Sequence, residues 1–395
     1  MNTNENPRLY ASLPCVEGAA RRAVIDLAAL RHNYRVLCER ADGALCICVV
    51  KADAYGHGAQ NVVRALHAEG CRFFAVSCLE EALAIRAAAP DADILIFGQV
   101  SGENALLLAK HRLTATGYSA EAARELSDAA TRLGITVKLH IKLDTGMNRV
   151  GFPAYDAETQ RATVSAIEEI FSMKSLAVTG IYSHFASADE ADRSATHRQA
   201  ERFLAVTDAL EKKGLSLGIK HLCNSAGALR FADEYRMNAV RLGIALYGYR
   251  PDATEDIGLL PVMRLESEIV HLHTLPAHER VGYGGAFEAN EPRLIATLSI
   301  GYADGWLRAY TGARVTVHTK AGNFSAAVVG RICMDQCMLD VTGMPVKCGD
   351  KVTLFGLTGG ELEALAAKAD TIPYECLCLV SARVPRVTKE EPQPF

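Results

Sequence analysis

Residues 44–58, ALCICVVKADAYGHG, run from an unbroken apolar stretch into a lysine and then into a turn with two glycines. An apolar run that stops at turn residues is typical of a buried strand in a parallel sheet. Seven similar runs follow: FFAVS (73–77), ADILIFG (92–98), LTATGY (113–118), TVKLHIKL (136–143), AVTGIYSHF (177–185), IKHLC (219–223) and NAVRL (238–242). Segments with helical spacing of apolar residues, such as RQAERFLAVTDALEKKG, lie between them.

This alternation of strands and helices predicts the fold class. Eight parallel strands with intervening helices close into a barrel more readily than they stay open. An open doubly wound sheet is the alternative, but no G-x-G-x-x-G follows the first strand. We therefore predict an α/β protein with a (β/α)8 TIM barrel over residues 22–255.

A different pattern begins near residue 256. Stretches such as RLESEIVHLHTL, RLIATLSI and ARVTVHT are rich in β-branched residues and are separated by glycine-rich turns. They predict a mainly β C-terminal domain over residues 256–395, with the boundary near residues 252–258. Residues 1–21 form an N-terminal segment that we expect to pack on this β-domain. A length of 395 residues suits two domains better than one.

The composition favours small-molecule partners. The formal net charge is -4, without long runs of one sign, so we expect neither a nucleic acid nor a membrane surface as a partner. No secretory leader is recognisable, and no apolar run approaches the roughly 18 residues of a bilayer span. These features predict a cytoplasmic protein. The twelve cysteines form no C-x-x-C pair, so we expect them to be reduced and expect no metal site.

In such a barrel, reactive groups follow the carboxyl ends of the strands, because those loops converge on one face. Lys51 ends the first strand, where an apolar surrounding can lower the pKa of its amine enough for Schiff-base chemistry. An ordinary surface lysine is the alternative. Phosphate sites in such barrels lie after strands seven and eight. Here Asn224, Ser225, Gly243 and Ile244 offer a hydroxyl and backbone N–H groups at that place.

Nine ordered strings carry a family resemblance. They are VVKADAYGHG, KLDTGMNRVGF, YSHFASADE, NSAGAL, VRLGIALYG, VGYGG, SIGYADGW, GRICMDQCMLDV and the closing RVPR. Together they resemble the alanine racemases, enzymes that use pyridoxal 5'-phosphate (PLP), over about residues 22–386. The resemblance implies an amino-acid racemase that converts L-alanine to D-alanine and works as a head-to-tail homodimer with composite active sites.

The resemblance also implies the proton-handling residues. Lys51 would carry PLP and act as the base on one face of the substrate, and Tyr283 of the partner subunit would act on the other. A phenol is a poor base at neutral pH, because its ordinary pKa is about 10. His184 and Arg241 would assist it through a hydrogen-bonded chain. Arg241 would also face the pyridine nitrogen, which a guanidinium cannot protonate.

Further roles follow from the same resemblance. Arg149 and the backbone N–H of Met334, with Cys333 beside it, would hold the substrate carboxylate. Lys142 matches a position that is carbamylated in some members, where the new carboxylate would orient Arg149. The phosphate would be bound by Tyr55, Asn224, Ser225, Gly243 and Ile244. The entrance would be lined by Tyr302, Asp189, Arg308 and Arg331.

One position departs from the family pattern. Many members have a tyrosine directly before the closing RVPR, whereas this chain has Ala382. Weaker cofactor binding is one consequence to expect. A roomier pocket is another, and it makes a serine or dual alanine/serine racemase the alternative function.

Two rival functions fit the sequence less well than a racemase. PLP decarboxylases on the same barrel place a glutamate opposite the pyridine nitrogen, where this chain has Arg241. The single-domain, non-catalytic PLP-binding proteins lack a β-domain, and with it Tyr283 and Met334. Both comparisons favour the racemase.

Overall fold

The N-terminal part of the chain forms a closed parallel barrel in the computed structural model, which describes residues 19–251 and 255–390. The strands of this part are β1 (Arg21–Asp26), β2 (Leu45–Val49), β3 (Phe73–Val76), β4 (Asp93–Ile96), β5 (Leu113–Gly117), β6 (Val137–Asp144), β7 (Phe152–Pro153), β8 (Leu176–Tyr182), β9 (Ile219–His221) and β10 (Ala239–Leu242). Eight of them pair in the order β5-β4-β3-β2-β10-β9-β8-β6, and β6 pairs again with β5. The predicted TIM barrel is therefore confirmed.

Helices surround this barrel. They are α1 (Leu27–Arg40), α2 (Lys51–Gly56), α3 (Ala59–Ala68), α4 (Leu79–Arg86), α5 (Ala105–Lys110), α6 (Ala120–Leu133), α7 (Ala157–Ser172), α8 (Ser194–Lys212), α9 (Ser225–Arg230) and α10 (Ala232–Tyr235). Local sequence explains where several begin and end. The Ser119 side chain accepts a hydrogen bond from the Ala122 N–H at the start of α6, and Gly134 ends that helix with a φ of 65°.

The C-terminal part is a mainly β domain, as predicted. Its strands are β11 (Met263–Leu275), β12 (Arg280–Val281), β13 (Phe287–Glu288), β14 (Arg293–Leu298), β15 (Arg314–Thr319), β16 (Gly322–Val329), β17 (Cys337–Asp340), β18 (Lys351–Phe355) and β19 (Arg386–Lys389), and its helices are α11 (Gly359–Lys368) and α12 (Pro373–Leu379). The order β14-β17-β16-β15-β18-β11 closes through a β14–β11 pair, so this sheet also curls into a barrel.

The first described strand belongs to the β-domain and not to the TIM barrel. β1 pairs antiparallel with β11 and parallel with β19. The expected start of the TIM barrel at residue 22 falls inside this strand, so the structure differs there from the expectation. Residues 1–18, the bulk of the expected N-terminal segment, lie outside the described residues, as do residues 252–254 in the expected boundary region.

The interior of the TIM barrel is partly polar. His140 on β6 and His221 on β9 are buried, and their rings join through an Nδ1–Nε2 hydrogen bond of 3.0 Å. A Cβ added to Gly180 on β8 would come within 2.5 Å of the His140 ring, so only glycine leaves room for that imidazole. This polar layer lies below the carboxyl ends of the strands. Among the described helices, none has the length and apolar character that a bilayer crossing needs.

Candidate active site

A cavity of about 810 Å³ opens at the carboxyl ends of the TIM-barrel strands, and we call it the barrel-mouth cavity. Ten of the predicted site residues line it: Lys51, Tyr55, Lys142, Arg149, His184, Asn224, Ser225, Arg241, Gly243 and Ile244. They come from β2, β6, β8, β9 and β10 or from the segments that follow these strands. The barrel topology thus brings together residues that are up to 193 positions apart in the sequence.

Lys51 is the first residue of α2, and α2 is a left-handed turn. Ala52, Asp53, Ala54 and Tyr55 all have φ between 52 and 55°. A left-handed conformation costs a residue with a Cβ about 1–2 kcal/mol, so four in succession need strong local support. Burial is the main cause that lowers the pKa of the Lys51 amine, and the charge of Arg149 lowers it further. A fraction of neutral, nucleophilic amine is thereby favoured.

Two hydroxyls and one glycine form a small polar cradle. The Gly243 N–H donates to Ser225 Oγ over 2.9 Å. A Cβ added to Gly243 would lie 2.8 Å from the Tyr55 hydroxyl oxygen and 3.7 Å from Ser225 Oγ. Any larger residue would therefore fill the space between the two hydroxyls. Asn224 caps α9 by accepting from the Gly227 N–H at 2.9 Å, which fixes the loop that carries Ser225.

Arg241 is almost fully buried and is held by neighbours on two strands. Its guanidinium donates to His221 Nδ1 at 2.9 Å and to His184 Nδ1 at 3.1 Å. It also donates to the carbonyls of Ser183, His221 and Leu222. Burial lowers the pKa of Arg241 to about 10, so the group remains charged at neutral pH.

His184 stays neutral beside Arg241. Burial, followed by the charge of Arg241, lowers the pKa of His184 well below its usual range. Since His184 Nδ1 accepts a hydrogen bond from Arg241, the ring proton is assigned to Nε2. His184 can therefore donate a hydrogen bond from the nitrogen that does not contact Arg241.

Lys142 is a buried amine on β6 within the same group. Its Nζ donates to the Leu143 carbonyl at 2.6 Å and lies 5.7 Å from the centre of the Tyr182 ring. Burial, then the charge of Arg241, lowers the pKa of Lys142 to about 7. The cavity wall also carries Lys51, Arg149 and Arg241, against the carboxyl groups of Glu81 and Glu375. This excess of basic groups suits an anionic ligand.

The predicted β-domain residues lie outside this cavity. Tyr283 begins a short 3-10 turn and is 72% exposed, Met334 is 52% exposed and Tyr302 is 40% exposed. The Tyr302 N–H donates to the Cys333 carbonyl at 3.0 Å, and a Cβ on Gly284 would touch the Arg331 guanidinium. We call this group, Tyr283, Tyr302, Arg331, Cys333 and Met334, the β-domain face. Asp189 and Arg308 are exposed as well.

Ala382 lies beside a different cavity from the one expected. It lines a second cavity of about 550 Å³, together with Asp53 and Arg386. This second cavity shares Ala52, Glu81 and Cys378 with the barrel-mouth cavity, but Ala382 is absent from the wall of the latter. Within one described chain, the alanine therefore does not enlarge the space around Lys51.

Several wall residues were missed by the sequence analysis. Tyr182 could have been found, because the two-residue period of β8 puts it on the same side as His184. His221 does not line the cavity, but it accepts a hydrogen bond from Arg241 and was missed as well. Tyr374 and Glu81 carried no such signal, since both come from helices whose docking onto the barrel mouth depends on tertiary packing.

The site residues fit PLP. A lysine amine whose pKa is lowered by burial suits the cofactor aldehyde, and the polar cradle of Tyr55, Ser225 and Gly243 suits its phosphate. A buried arginine that stays charged suits the pyridine nitrogen. Together with a TIM barrel and a β-domain, these features define a PLP-dependent enzyme of the barrel type.

Comparisons with known proteins identify the family. Residues 25–251 match the alanine racemase N-terminal domain model, and residues 262–388 match the alanine racemase C-terminal domain model. The chain belongs to the alanine racemase family. It is 39% identical over 373 residues to the alanine racemase of Methanococcus maripaludis, covering 92% of this chain and 97% of the relative. It is also 39% identical to that of Desulfovibrio desulfuricans, covering 93% and 98%.

Solved structures agree with this assignment. The alanine racemase of Clostridium difficile 630 superposes with a TM-score of 0.86 at 34% identity, covering 94% of this chain and 96% of that chain. The alanine racemase of Bacillus anthracis with bound L-Ala-P gives a TM-score of 0.84 at 31% identity, covering 95% and 96%. The predicted family, fold class and PLP dependence are confirmed. The serine alternative is not favoured, since the relatives named here are alanine racemases.

Proposed function

We propose that this chain interconverts L-alanine and D-alanine with PLP held in the barrel-mouth cavity. The observation that carries the proposal is the convergence of the Lys51 amine, the Tyr55–Ser225–Gly243 cradle and the Arg241 guanidinium on one cavity. When bound, PLP supplies an electron sink that acidifies the substrate α-carbon. Its phosphate would rest against Tyr55, Asn224, Ser225, Gly243 and Ile244.

Arg241 would influence the chemistry because its guanidinium does not give up a proton at neutral pH. A guanidinium fixed by five hydrogen bonds keeps its protons at neutral pH, so it would donate a hydrogen bond to a pyridine nitrogen without giving up a proton. Arg241 would thereby limit the electron-withdrawing power of the ring and disfavour side reactions such as transamination.

Racemisation needs a base on each face of the α-carbon, because one base alone returns the proton to the side it came from. The Lys51 amine is one of them. The other is Tyr283, supplied by a second copy of the chain in a homodimer, because within its own chain Tyr283 is exposed and does not line the barrel-mouth cavity. His184 Nε2–H would donate to the phenol oxygen and stabilise it after it has lost its proton.

Arg149 would bind the substrate carboxylate through its planar fork of donors, helped by the Met334 N–H and by Cys333 of the second copy. Lys142 would act as a carbamate, because a pKa of about 7 leaves much of the amine neutral and able to react with CO2. The negative carbamate would offset the charges of Arg149 and Arg241. Tyr302, Asp189, Arg308 and Arg331 would line the entrance to the assembled site.

We propose that the activity operates in the cytoplasm, where it would supply D-alanine for wall precursors. The eleven cysteines that the structure describes are all free, and a reducing compartment keeps thiols in that state.

The test is racemisation by the purified protein with PLP, followed as the change in optical rotation of L-alanine. We expect Lys51→Ala to lose about 10³-fold or more of kcat/KM, because it removes both the cofactor anchor and a base. Lys110→Ala, which changes an exposed lysine of the same barrel, should keep wild-type activity. Full activity in Lys51→Ala, or a higher kcat/KM for L-serine than for L-alanine in the wild type, would refute the proposal.

A further inference from the structure

The left-handed turn α2 determines the position and direction of the Lys51 side chain, because Lys51 is its first residue. Ala52, Asp53, Ala54 and Tyr55 each have a Cβ and would avoid this conformation in a free peptide. The turn also directs Tyr55, four residues after Lys51, to the polar cradle that it forms with Ser225 and Gly243. Contacts from outside the turn must therefore stabilise its left-handed backbone. These contacts also control the direction of the Lys51 side chain.

The far end of α2 is held by two side chains. Asp53 Oδ1 accepts from the Ala59 N–H at 2.7 Å, which ties the turn to α3. Arg386 of the β-domain donates from Nε to the Gly56 carbonyl at 2.9 Å. Neither contact reaches the residue next to Lys51.

The near end of α2 is held by Glu81. This residue lies in the first turn of α4 and is only 7% exposed. Its Oε1 accepts from the Ala52 N–H at 2.7 Å, and its Oε2 accepts from the Ser77 N–H at 2.7 Å. One carboxylate thus joins the residue after Lys51 to the end of β3. Both contacts are short hydrogen bonds to a charged acceptor, which are the stronger kind.

Glu81 also places a negative charge near the Lys51 amine. The charged or titratable groups that act on this amine are Arg149, Glu81 and Cys378. Burial and Arg149 lower the pKa of Lys51, whereas Glu81 raises it. Glu81 therefore works against full loss of the proton, and its geometric and electrostatic effects reach the same amine.

We propose that Glu81 is a positioning residue for Lys51. Glu81 fixes the start of α2 and adds a negative charge near the Lys51 amine. The proposal rests on the proposed function, in which Lys51 carries PLP. A purely structural role would tie β3 to α4 through Ser77 alone. The bond to Ala52 is the feature that makes the lysine depend on Glu81.

The test replaces the carboxylate with an amide of the same shape. In Glu81→Gln one oxygen becomes an NH2 group, which cannot accept from a backbone N–H, so one of the two bonds is lost together with the charge. Two measurements on the apoprotein report the result. They are the rate of PLP uptake against pH, followed by absorbance, and hydrogen exchange of the amides in residues 52–56. Racemase turnover is not required for either.

We expect three changes in Glu81→Gln. The plateau rate of PLP uptake should fall roughly tenfold, because the amine is no longer held in one direction. The midpoint of the pH profile should move to lower pH, because a charge that stabilises the protonated amine is gone. Exchange in residues 52–56 should become faster. Glu80→Gln, which changes the exposed neighbour, should leave all three at wild-type values.

A second variant separates the effect of the length of the Glu81 side chain from the effect of its charge. Glu81→Asp keeps the negative charge but is one methylene shorter, so it cannot bridge the two N–H groups as Glu81 does. We expect the plateau rate of PLP uptake to fall, whereas the midpoint of its pH profile should change little. A lower melting temperature in Glu81→Gln without any change in the pH profile or in the exchange of residues 52–56 would overturn the inference. A wild-type protein that takes up no PLP would instead overturn the proposed function.

Discussion

The barrel-mouth cavity and the β-domain face are organised in opposite ways. At the barrel mouth, Lys142, Ser225 and Arg241 are at most 4% exposed and are tied to neighbours by hydrogen bonds. On the β-domain face, Tyr283 and Met334 project their side chains with more than half of their surface exposed. One half of the site is thus assembled inside a single chain, and the other half is presented outward.

The difference follows from the cost of burying charge. A buried amine or guanidinium is unfavourable unless its donors are satisfied, so the barrel groups must be fixed by a network before any ligand arrives. A phenol and a thioether on a surface carry no such requirement. The barrel half is therefore preorganised by folding, whereas the β-domain half would gain its role in the proposed homodimer.

The largest expected effect concerns the division of the site between copies. Lys51→Ala and Tyr283→Ala should each lose about 10³-fold or more of activity, since each removes one of the two proposed bases. Mixing the two variants under conditions of subunit exchange should restore up to about a quarter of wild-type activity, because half of the dimers are mixed and each has one intact site.

Racemase assays of the mixture, with each variant alone as the control, measure this recovery. A mixture that stays as inactive as its components would contradict the division into two half-sites.

A smaller expected effect is a difference between the two regions in how far one arginine contributes to the free energy of unfolding. Arg241→Ala should lower the free energy of unfolding by about 3 kcal/mol or more, because it leaves several buried acceptors without a donor. Arg331→Ala, on the exposed β-domain face, should change it by no more than about 0.5 kcal/mol. Urea unfolding followed by circular dichroism compares them. Equal losses in the two variants would show that the regions do not differ in this way.

The smallest effect concerns pH. Burial lowers the pKa of Lys142 from 10.5 to about 7, so the unfolded chain binds more protons than the native chain between these values. The free energy of unfolding should therefore rise with pH in this window. Without bicarbonate, Lys142→Met should remove about 1–2 kcal/mol of that rise between pH 7 and 9.

Lys320→Met, an exposed lysine of the β-domain, is the matched control and should leave the slope unchanged. Added bicarbonate should flatten the wild-type slope, because a carbamate no longer titrates as an amine. A wild-type slope identical to that of Lys142→Met in bicarbonate-free buffer would argue against a titrating Lys142.

The sequence predicted the TIM barrel well because buried parallel strands are short, apolar and regularly spaced. It also predicted which residues end those strands, and the barrel closure then brought Lys51, His184 and Arg241 together. It did not reveal the handedness of α2, since only Gly56 and Gly58 at its end hinted at an unusual backbone. Nor did it reveal β1 as a strand of the β-domain, because its partner β11 lies more than 230 residues further along the chain.

The pairing of β1 with β19 has a consequence for biosynthesis. The Gly56 carbonyl receives its hydrogen bond from Arg386, 330 residues later, and β1 receives its parallel neighbour from the last described strand. At roughly 5–20 residues per second, a ribosome needs on the order of 15–65 s to cover that distance. Throughout that interval the nascent lysine segment lacks its final support, so a fully shaped cofactor pocket can exist only after Arg386 has been translated.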